Sequence, residues 1–145
     1  MSVQTKIALV TGGSRGLGKD MAISIARKGI DVILTYRTKE EEANAVVQEI
    51  ESLGQNAVAL QLDMANFNSI GSFMQQVIET LQSKFNTTTF DFLINNAGMG
   101  ATVPFLQVTE EIFNNFLNVH FKSIYFLTQQ SVPLMNAGGR IINIS

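Results

Sequence analysis

The sequence contains no cysteine, which excludes disulfide bonds, thiolate metal sites and a cysteine nucleophile. It also lacks any apolar run near the roughly 18 residues that a membrane-spanning helix needs, so we expect no membrane partner. The first ten residues, MSVQTKIALV, have neither a charged leader with a long apolar stretch nor a small-residue cleavage site. They therefore do not indicate a signal peptide, and the cytoplasm is the expected location.

Basic stripes are missing as well. Ten Lys and Arg against twelve Asp and Glu give a formal net charge of −2, so we expect no nucleic-acid partner. We also predict no metal site. What the chain does have is the composition of one globular domain: of its 145 residues, 46% are hydrophobic and 15% are charged, which is enough to bury a core.

Five short apolar runs are separated by longer helical segments. Strands are predicted at residues 7–10, 32–34, 57–62, 90–94 and 140–144, and helices at 16–28, 39–53, 66–84 and 110–134. Because no hairpin signal interrupts this alternation, it predicts an α/β fold: a doubly wound parallel sheet with right-handed crossovers and helices on both faces.

The fifth predicted strand is followed by no turn, cap or helix. A newly added apolar strand would then form an open sheet edge, which natural proteins normally cover. We therefore expect residues 1–145 to be one domain that is truncated after its fifth strand, or one whose open edge a partner covers.

A glycine-rich turn, residues 11–18 (TGGSRGLG), connects the first predicted strand to the first helix. Glycines let the backbone turn sharply, approach a phosphate closely and pack the helix on the strand. Free N–H groups at the start of the helix then face the anion. The spacing G-x-x-x-G-x-G is one residue off the common G-x-G-x-x-G, but its place between strand and helix predicts a dinucleotide pyrophosphate site. A plain tight loop is the alternative. The residues predicted to bind the cofactor here are Gly12, Ser14, Arg15, Gly16, Leu17 and Gly18.

The end of the second predicted strand favours one cofactor over another. An NAD site usually places an acid there to bind the ribose 2′-hydroxyl, whereas this chain reads TYRTK at residues 35–39, with no carboxylate. Arg37 can pair with a 2′-phosphate through its planar fork, and Arg15 can add a second cation. The sequence therefore predicts NADP(H), with NAD(H) as the alternative cofactor. Solvated surface arginines are the other interpretation.

The turn, together with Asn95-Asn96-Ala97-Gly98 directly after the fourth predicted strand, resembles the short-chain dehydrogenase/reductase family. The resemblance covers residues 6–145 and corresponds to the N-terminal, cofactor-binding part of a Rossmann fold. It implies that Asp63 meets the adenine amino group, that the Met64 backbone supports it, and that the segment after the fourth strand lines the adenosine side. Asp63 as a capping acid and the Asn-Asn-Ala-Gly segment as an ordinary turn are the alternatives. The cofactor contacts implied here are Asp63, Met64, Asn96, Ala97 and Gly98, with Asn96 the foremost.

Members of this family catalyse with an Asn, a Ser, a Tyr and a Lys. The resemblance places the Asn position on His120, whose alternative is a helix histidine with no catalytic part, and it places Ser145 next to the expected catalytic serine. Neither Tyr36 nor Tyr125 is followed by a lysine four residues later, so the family's Y-x-x-x-K segment is not in this sequence. The resemblance implies an enzyme that moves hydride between NADP(H) and a small-molecule carbonyl or alcohol, while residues 1–145 alone are expected to be inactive.

Family members commonly associate through the long helix, here residues 110–134, so the resemblance implies a homo-oligomer of the complete protein. A stripe of Phe113, Phe116, Ile124 and Phe126 fits such an interface, although core packing explains it equally well. Two other functions stay open: a non-catalytic NADP-binding module or regulator, and, less favoured, a methyltransferase. The methyltransferase fits less well because such enzymes hold the ribose diol with an acid at the end of the second strand.

Overall fold

The strands and helices alternate as predicted in a computed structural model that describes residues 4–145; the first three residues of the predicted domain lie outside this range. The strands are β1 (Ile7–Val10), β2 (Asp31–Tyr36), β3 (Ala57–Gln61), β4 (Phe90–Asn95) and β5 (Met135–Asn143). The helices are α1 (Gly16–Arg27), α2 (Glu40–Ser52), α3 (Ile70–Lys84), α4 (Glu110–Leu117) and α5 (Ser123–Ser131).

All four strand pairings are parallel, and the strand order is β3-β2-β1-β4-β5. The chain first adds strands on one side of β1 and then crosses over to place β4 on its other side. This is the strand order of a Rossmann fold, so the predicted doubly wound sheet is confirmed. In such sheets ligands bind at the carboxyl ends of the strands, where the order reverses, here between β1 and β4.

The central strands β1 and β2 are buried on both faces, which explains their continuous apolar runs. In β1, Ile7 and Leu9 join a core built with α3, while Ala8 and Val10 join a second core built with α1 and α2. Successive side chains of a strand point to opposite faces, so one short run serves both cores. The two helical layers hold the carboxyl ends of the strands in fixed register.

The long helix predicted at residues 110–134 is not continuous. A π-helical segment at Asn118–Lys122 separates α4 from α5, and a 3₁₀ turn at Val132–Leu134 follows. Around the π segment, Val119 and Ser123 are buried, and the Ser123 hydroxyl donates to the Met64 carbonyl at 2.6 Å. The wider turn of a π segment rotates the side chains that follow it around the helix axis. The periodicity of the sequence does not predict such a segment. A 3₁₀ turn at Phe67–Ser69 likewise replaces the predicted start of the third helix.

The fifth strand begins at Met135, five residues before the predicted start. Met135 pairs with Phe90, the ladder is then interrupted, and Arg140 pairs with Phe92. The interruption contains Gly138 with φ +84°, a conformation that glycine adopts without strain. β5 pairs with β4 and lies at the edge of the sheet, where Ile141 and Ile142 are exposed.

Only part of the predicted apolar stripe on the long helix faces solvent. Phe113 is exposed, whereas Phe116, Ile124 and Phe126 are half-buried, and Ile124 packs against the core. The exposed apolar side chains of this helix instead follow a four-residue spacing: Phe113, Leu117, Phe121 and Tyr125. In residues 4–145, no helix combines the length and apolar character needed to cross a membrane.

Candidate functional site

The glycine-rich turn connects the end of β1 to the start of α1. Its backbone is held by β2, because the Gly12 N–H donates to the Thr35 hydroxyl at 3.0 Å and the Gly13 N–H donates to the Thr35 carbonyl at 3.0 Å. Gly12 and Gly16 have φ of +66° and +56°, a region that favours glycine. Thr35 therefore holds the backbone of the turn, a role that the sequence pattern does not predict.

Gly18 is required by close packing. A Cβ at this position would collide with the Gly12 carbonyl oxygen and lie 2.5 Å from the Asn96 side-chain nitrogen. The absence of a side chain thus lets the first turn of α1 lie against the end of the sheet. The motif predicts this role for one of its glycines, and that glycine is Gly18.

The segment after β4 is hydrogen-bonded to the same turn. The buried Thr11 hydroxyl oxygen accepts from the N–H groups of Asn96 and Ala97, at 3.0 and 2.9 Å. The Asn96 side-chain amide donates to the Thr11 and Gly12 carbonyls at 3.2 and 3.1 Å. Asn96 therefore holds the backbone of the glycine-rich turn through these hydrogen bonds.

A cavity of about 530 Å³ opens at the carboxyl ends of the strands. All twelve residues predicted to bind the cofactor line it: Gly12, Ser14, Arg15, Gly16, Leu17, Gly18, Arg37, Asp63, Met64, Asn96, Ala97 and Gly98. Seven further lining residues were not predicted: Thr35, Tyr36, Leu62, Ala65, Met99, Gly100 and Val119. Six of these flank predicted residues at strand ends, so adjacency could have found them. Val119 reaches the cavity from the π segment and has no such signal.

The start of α1 has the features of an anion site. No side chain caps the first N–H groups of α1, and its first turn contains no acidic residue. At Gly16 a Cβ would meet no atom within 4 Å, so the backbone borders open space there. Uncapped N–H groups and the positive end of the helix dipole favour a phosphate at this point. The residues present thus fit a dinucleotide pyrophosphate.

Arg37 and Asp63 form an ion pair in the lining of the cavity. The Arg37 Nε lies 3.7 Å from the Asp63 Oδ1, and both side chains are exposed. Asp63 Oδ1 also accepts from the Ala65 N–H at 2.9 Å, so the acid does cap the loop that follows it. Arg15 lies at the start of α1 and is exposed. Both arginines line the cavity.

Tyr36 is a further titratable residue of the cavity wall. Partial burial raises its pKa above the ordinary value of 10.0, and the nearby Glu40 carboxylate raises it further. Tyr36 consequently keeps its proton throughout the physiological range. It offers a neutral, partly apolar surface beside Arg37.

The two predicted catalytic residues do not line the cavity. His120 is exposed, its Nε2 lies 2.8 Å from the Met99 carbonyl oxygen, and its ring stacks on Phe116 with centroids 5.8 Å apart. His120 thus lies against the cavity wall at two lining residues, Met99 and Gly98, and a Cβ on Gly98 would lie 3.0 Å from its ring. Ser145 is exposed beyond β5, next to Ile144, whose N–H donates to the Asn95 carbonyl at 3.0 Å. Among residues 4–145, no group of three or more His, Asp or Glu side chains is placed to hold a metal ion.

Several proteins of known sequence are similar to this chain. Residues 6–145 match the family model for short chain dehydrogenases. Hydroxynaphthalene reductase arp2 of Aspergillus fumigatus is 33% identical over 140 residues, which cover 97% of this chain and 49% of the relative. The 3-oxoacyl-[acyl-carrier-protein] reductase FabG of Staphylococcus aureus is 32% identical over 143 residues, covering 97% of this chain and 56% of the relative.

Solved structures share the fold. The angucycline C-6 ketoreductase LanV with bound NADP superposes with a TM-score of 0.93 at 33% identity, over 98% of this chain and 56% of that one. A short chain dehydrogenase from Burkholderia cenocepacia in complex with NADP gives 0.85 at 35% identity, over 97% and 55%. The chain spans about half the length of the relatives it matches. On the family match and the shared fold, the chain belongs to the short-chain dehydrogenase family.

Proposed function

We propose that the complete protein is an NADP(H)-dependent oxidoreductase that moves hydride between the cofactor and a carbonyl or alcohol substrate. The observation that carries the NADP preference is the end of β2, where Arg37 lines the cavity and residues 35–39 contain no carboxylate. An arginine at this position matches the geometry and charge of a 2′-phosphate, whereas a ribose diol is usually held by an acid. When bound, the nicotinamide supplies or accepts the hydride.

Different residues of the cavity are proposed to contact different parts of the cofactor. The N–H groups around Ser14, Gly16 and Leu17 hold the pyrophosphate, and Arg15 adds positive charge beside it. Asp63 and Met64 hold the adenine, while Asn96, Ala97 and Gly98 form the adenosine wall. This division is supported by the common cavity that these residues line.

The substrate class is supported by the names of related proteins. Those names describe a hydroxynaphthalene reductase, a 3-oxoacyl reductase and ketoreductases, one of them crystallised with NADP and rabelomycin. We therefore propose a ketone as the substrate in the reductive direction. The segment at residues 99–108, with the exposed Phe105 and Leu106, offers an apolar border to such a substrate.

Residues 1–145 by themselves are proposed to bind cofactor without turning substrate over. Neither of the two tyrosines has a lysine four residues later, so the acid that would protonate the substrate oxygen is not among them. His120 is proposed to act at the family's Asn position through Met99. Ser145 is proposed to neighbour the working serine.

A non-catalytic NADP-binding module is the second candidate, because the predicted cofactor residues line the cavity whereas His120 and Ser145 do not. The two candidates differ in the chain that follows residue 145. A second serine and then a Y-x-x-x-K segment in the genomic continuation would support the enzyme, and their absence would support the module.

Three wider properties belong to the same proposal. Residues 1–145 form a dinucleotide-binding domain whose open β5 edge is covered in the complete protein, which the exposed Ile141 and Ile142 support. The complete protein is a homo-oligomer that buries Phe113, Leu117, Phe121 and Tyr125 of the long helix. Its location is the cytoplasm.

The cofactor proposal is tested by titrating the protein with NADPH, NADH and S-adenosylmethionine. We expect NADPH to bind most tightly, since only NADPH carries a 2′-phosphate for Arg37. Equal affinities, or tighter NADH, would overturn the NADP preference. Preferential binding of S-adenosylmethionine would replace the oxidoreductase with a methyltransferase.

A further inference from the structure

The register of β2 and β3 brings Arg37 and Asp63 together. Tyr36 is paired with Gln61 at the carboxyl end of the two strands, and the Leu62 N–H donates to the Tyr36 carbonyl at 2.9 Å. The Gln61 side-chain amide donates to the Arg37 carbonyl at 3.0 Å. The two backbones that carry the charged side chains are thus held side by side, and both members of the ion pair line the cavity.

The two members of this pair are held to different degrees. The Asp63 carboxylate is fixed by its hydrogen bond from the Ala65 N–H at 2.9 Å, and its side chain is 43% exposed. The Arg37 side chain is 64% exposed and approaches the carboxylate only to 3.7 Å. An exposed, loosely paired arginine costs little to move, so a stronger anion can draw it away.

We propose that Asp63 is a specificity-determining residue that competes with the cofactor 2′-phosphate for Arg37. This inference rests on the proposed NADP(H) function and adds to it an exchange of partners. Before binding, Arg37 is neutralised by Asp63. A phosphate offers more charge and three acceptor oxygens, so the guanidinium fork turns to it, and the carboxylate of Asp63 is released toward the base.

The exchange has a direction that can be measured. Because the ion pair must be given up when the 2′-phosphate binds, Asp63 lowers the affinity for 2′-phosphorylated ligands relative to unphosphorylated ones. Exposed ion pairs contribute about 0.2–1 kcal/mol, so removing the competition should raise that relative affinity by about 1.4- to fivefold.

The test compares 2′,5′-ADP with 5′-ADP by isothermal titration calorimetry. The ratio of the two affinities isolates the 2′-phosphate, because the adenine contribution is common to both ligands. The variants are Asp63→Asn, Arg37→Ala and the double variant. Asparagine keeps an oxygen for the Ala65 N–H and removes only the charge. The matched control is Glu49→Gln, which removes one negative charge from the exposed Lys19–Glu49 pair at 3.9 Å, outside the cavity.

We expect Asp63→Asn to raise the ratio about 1.4- to fivefold and Glu49→Gln to leave it unchanged. In the Arg37→Ala background, Asp63→Asn should raise the ratio by clearly less. An unchanged or lowered ratio in Asp63→Asn would overturn the inference. So would an equal rise with and without Arg37, because the carboxylate would then act on the phosphate directly.

Failure of the proposed function gives a different result. If the wild-type protein does not prefer 2′,5′-ADP, or if Arg37→Ala leaves the preference intact, the NADP proposal itself is wrong. If Arg37→Ala abolishes the preference and Asp63→Asn does not change it, the function stands and the competition is wrong.

Discussion

Thr11 and Asn96 are 85 positions apart in the chain and are joined by two hydrogen bonds at the carboxyl ends of β1 and β4. The Asn96 backbone N–H donates to the Thr11 hydroxyl oxygen at 3.0 Å, and the Asn96 side-chain amide donates to the Thr11 carbonyl at 3.2 Å. The glycine-rich turn and the Asn-Asn-Ala-Gly segment therefore form one unit. A change in the position of one segment therefore affects the other.

Thr11→Val tests this unit. Valine keeps the shape of the buried side chain but removes the oxygen that accepts from the Asn96 and Ala97 N–H groups. Leaving such donors unpaired should lower the free energy of unfolding by about 2 kcal/mol, measured by urea denaturation. NADPH binding should weaken as well, because Gly12 and Ala97 line the cavity. Thr11→Ser, which keeps the hydroxyl, is the control. A wild-type urea midpoint for Thr11→Val would show that the hydroxyl is not needed.

Gly18→Ala tests the close approach of α1 to the turn. The added Cβ collides with the Gly12 carbonyl, so the turn or the helix must shift. We expect a loss of about 1–3 kcal/mol in thermal unfolding, as for other overpacked sites, together with loss of NADPH affinity. Gly71→Ala in α3 is the matched control, because its Cβ meets no atom within 4 Å. Alanine there should stabilise the helix by up to about 1 kcal/mol. Equal effects of the two substitutions would contradict the packing argument.

Tyr36 provides a prediction on pH. Its pKa is raised above 10.0 in the folded protein by burial and by Glu40, so the unfolded chain loses this proton at lower pH than the folded one. The contribution of Tyr36 to stability is therefore fully present below about pH 10 and is lost as pH rises through the raised folded pKa.

The measurement is a phenolate absorbance titration in a Tyr125→Phe background, where Tyr36 is the one remaining tyrosine of the two. Glu40→Gln should lower the pKa of Tyr36 and leave part of the shift, because burial is the larger cause. A Tyr36 that titrates at or below pH 10.0 in the Tyr125→Phe protein would contradict the assignment.

His120→Ala tests whether the histidine positions the cavity wall. The His120 Nε2 lies 2.8 Å from the Met99 carbonyl oxygen, and Met99 lines the cavity. The unbound protein already makes this hydrogen bond, so its loss should lower the free energy of unfolding by about 1 kcal/mol, measured by urea denaturation. NADPH binding should weaken as well, because Met99 lines the cavity. His120→Asn keeps an amide donor and should retain most of the affinity. NADPH affinity that is unaffected by His120→Ala would leave the histidine without this role.

Much of the fold was predictable because its signals are local. The apolar run at residues 7–10 predicts a buried strand from its composition alone. The spacing of the glycines that follow it predicts a phosphate-binding turn. The discontinuity at Asn118–Lys122 was not predictable, because it depends on how Val119 and Ser123 are buried against the rest of the protein. The early start of β5 was not predictable for the same reason, because it depends on the pairing of Met135 with Phe90 on the neighbouring strand.

The site shows the same division. Seven of the twelve predicted cofactor residues were inferred from the glycine-rich turn and the end of β2, and five were implied by the family resemblance; all twelve line the cavity. Val119 was missed because it comes from a helix, and Thr35 because its side chain supports the backbone of the turn. A threonine within a strand carries no signal for such a role.

By itself, the sequence determined the alternation of strands and helices, the glycine-rich turn and the charge at the end of β2, since each depends on neighbours a few residues away. Only the tertiary structure decided which distant residues contact each other: Asn96 with Thr11, Asp63 with Arg37, and His120 with Met99. These pairs lie on segments far apart in the chain. They meet because of the strand order and the register of the sheet, which arise when two helical layers bury both of its faces.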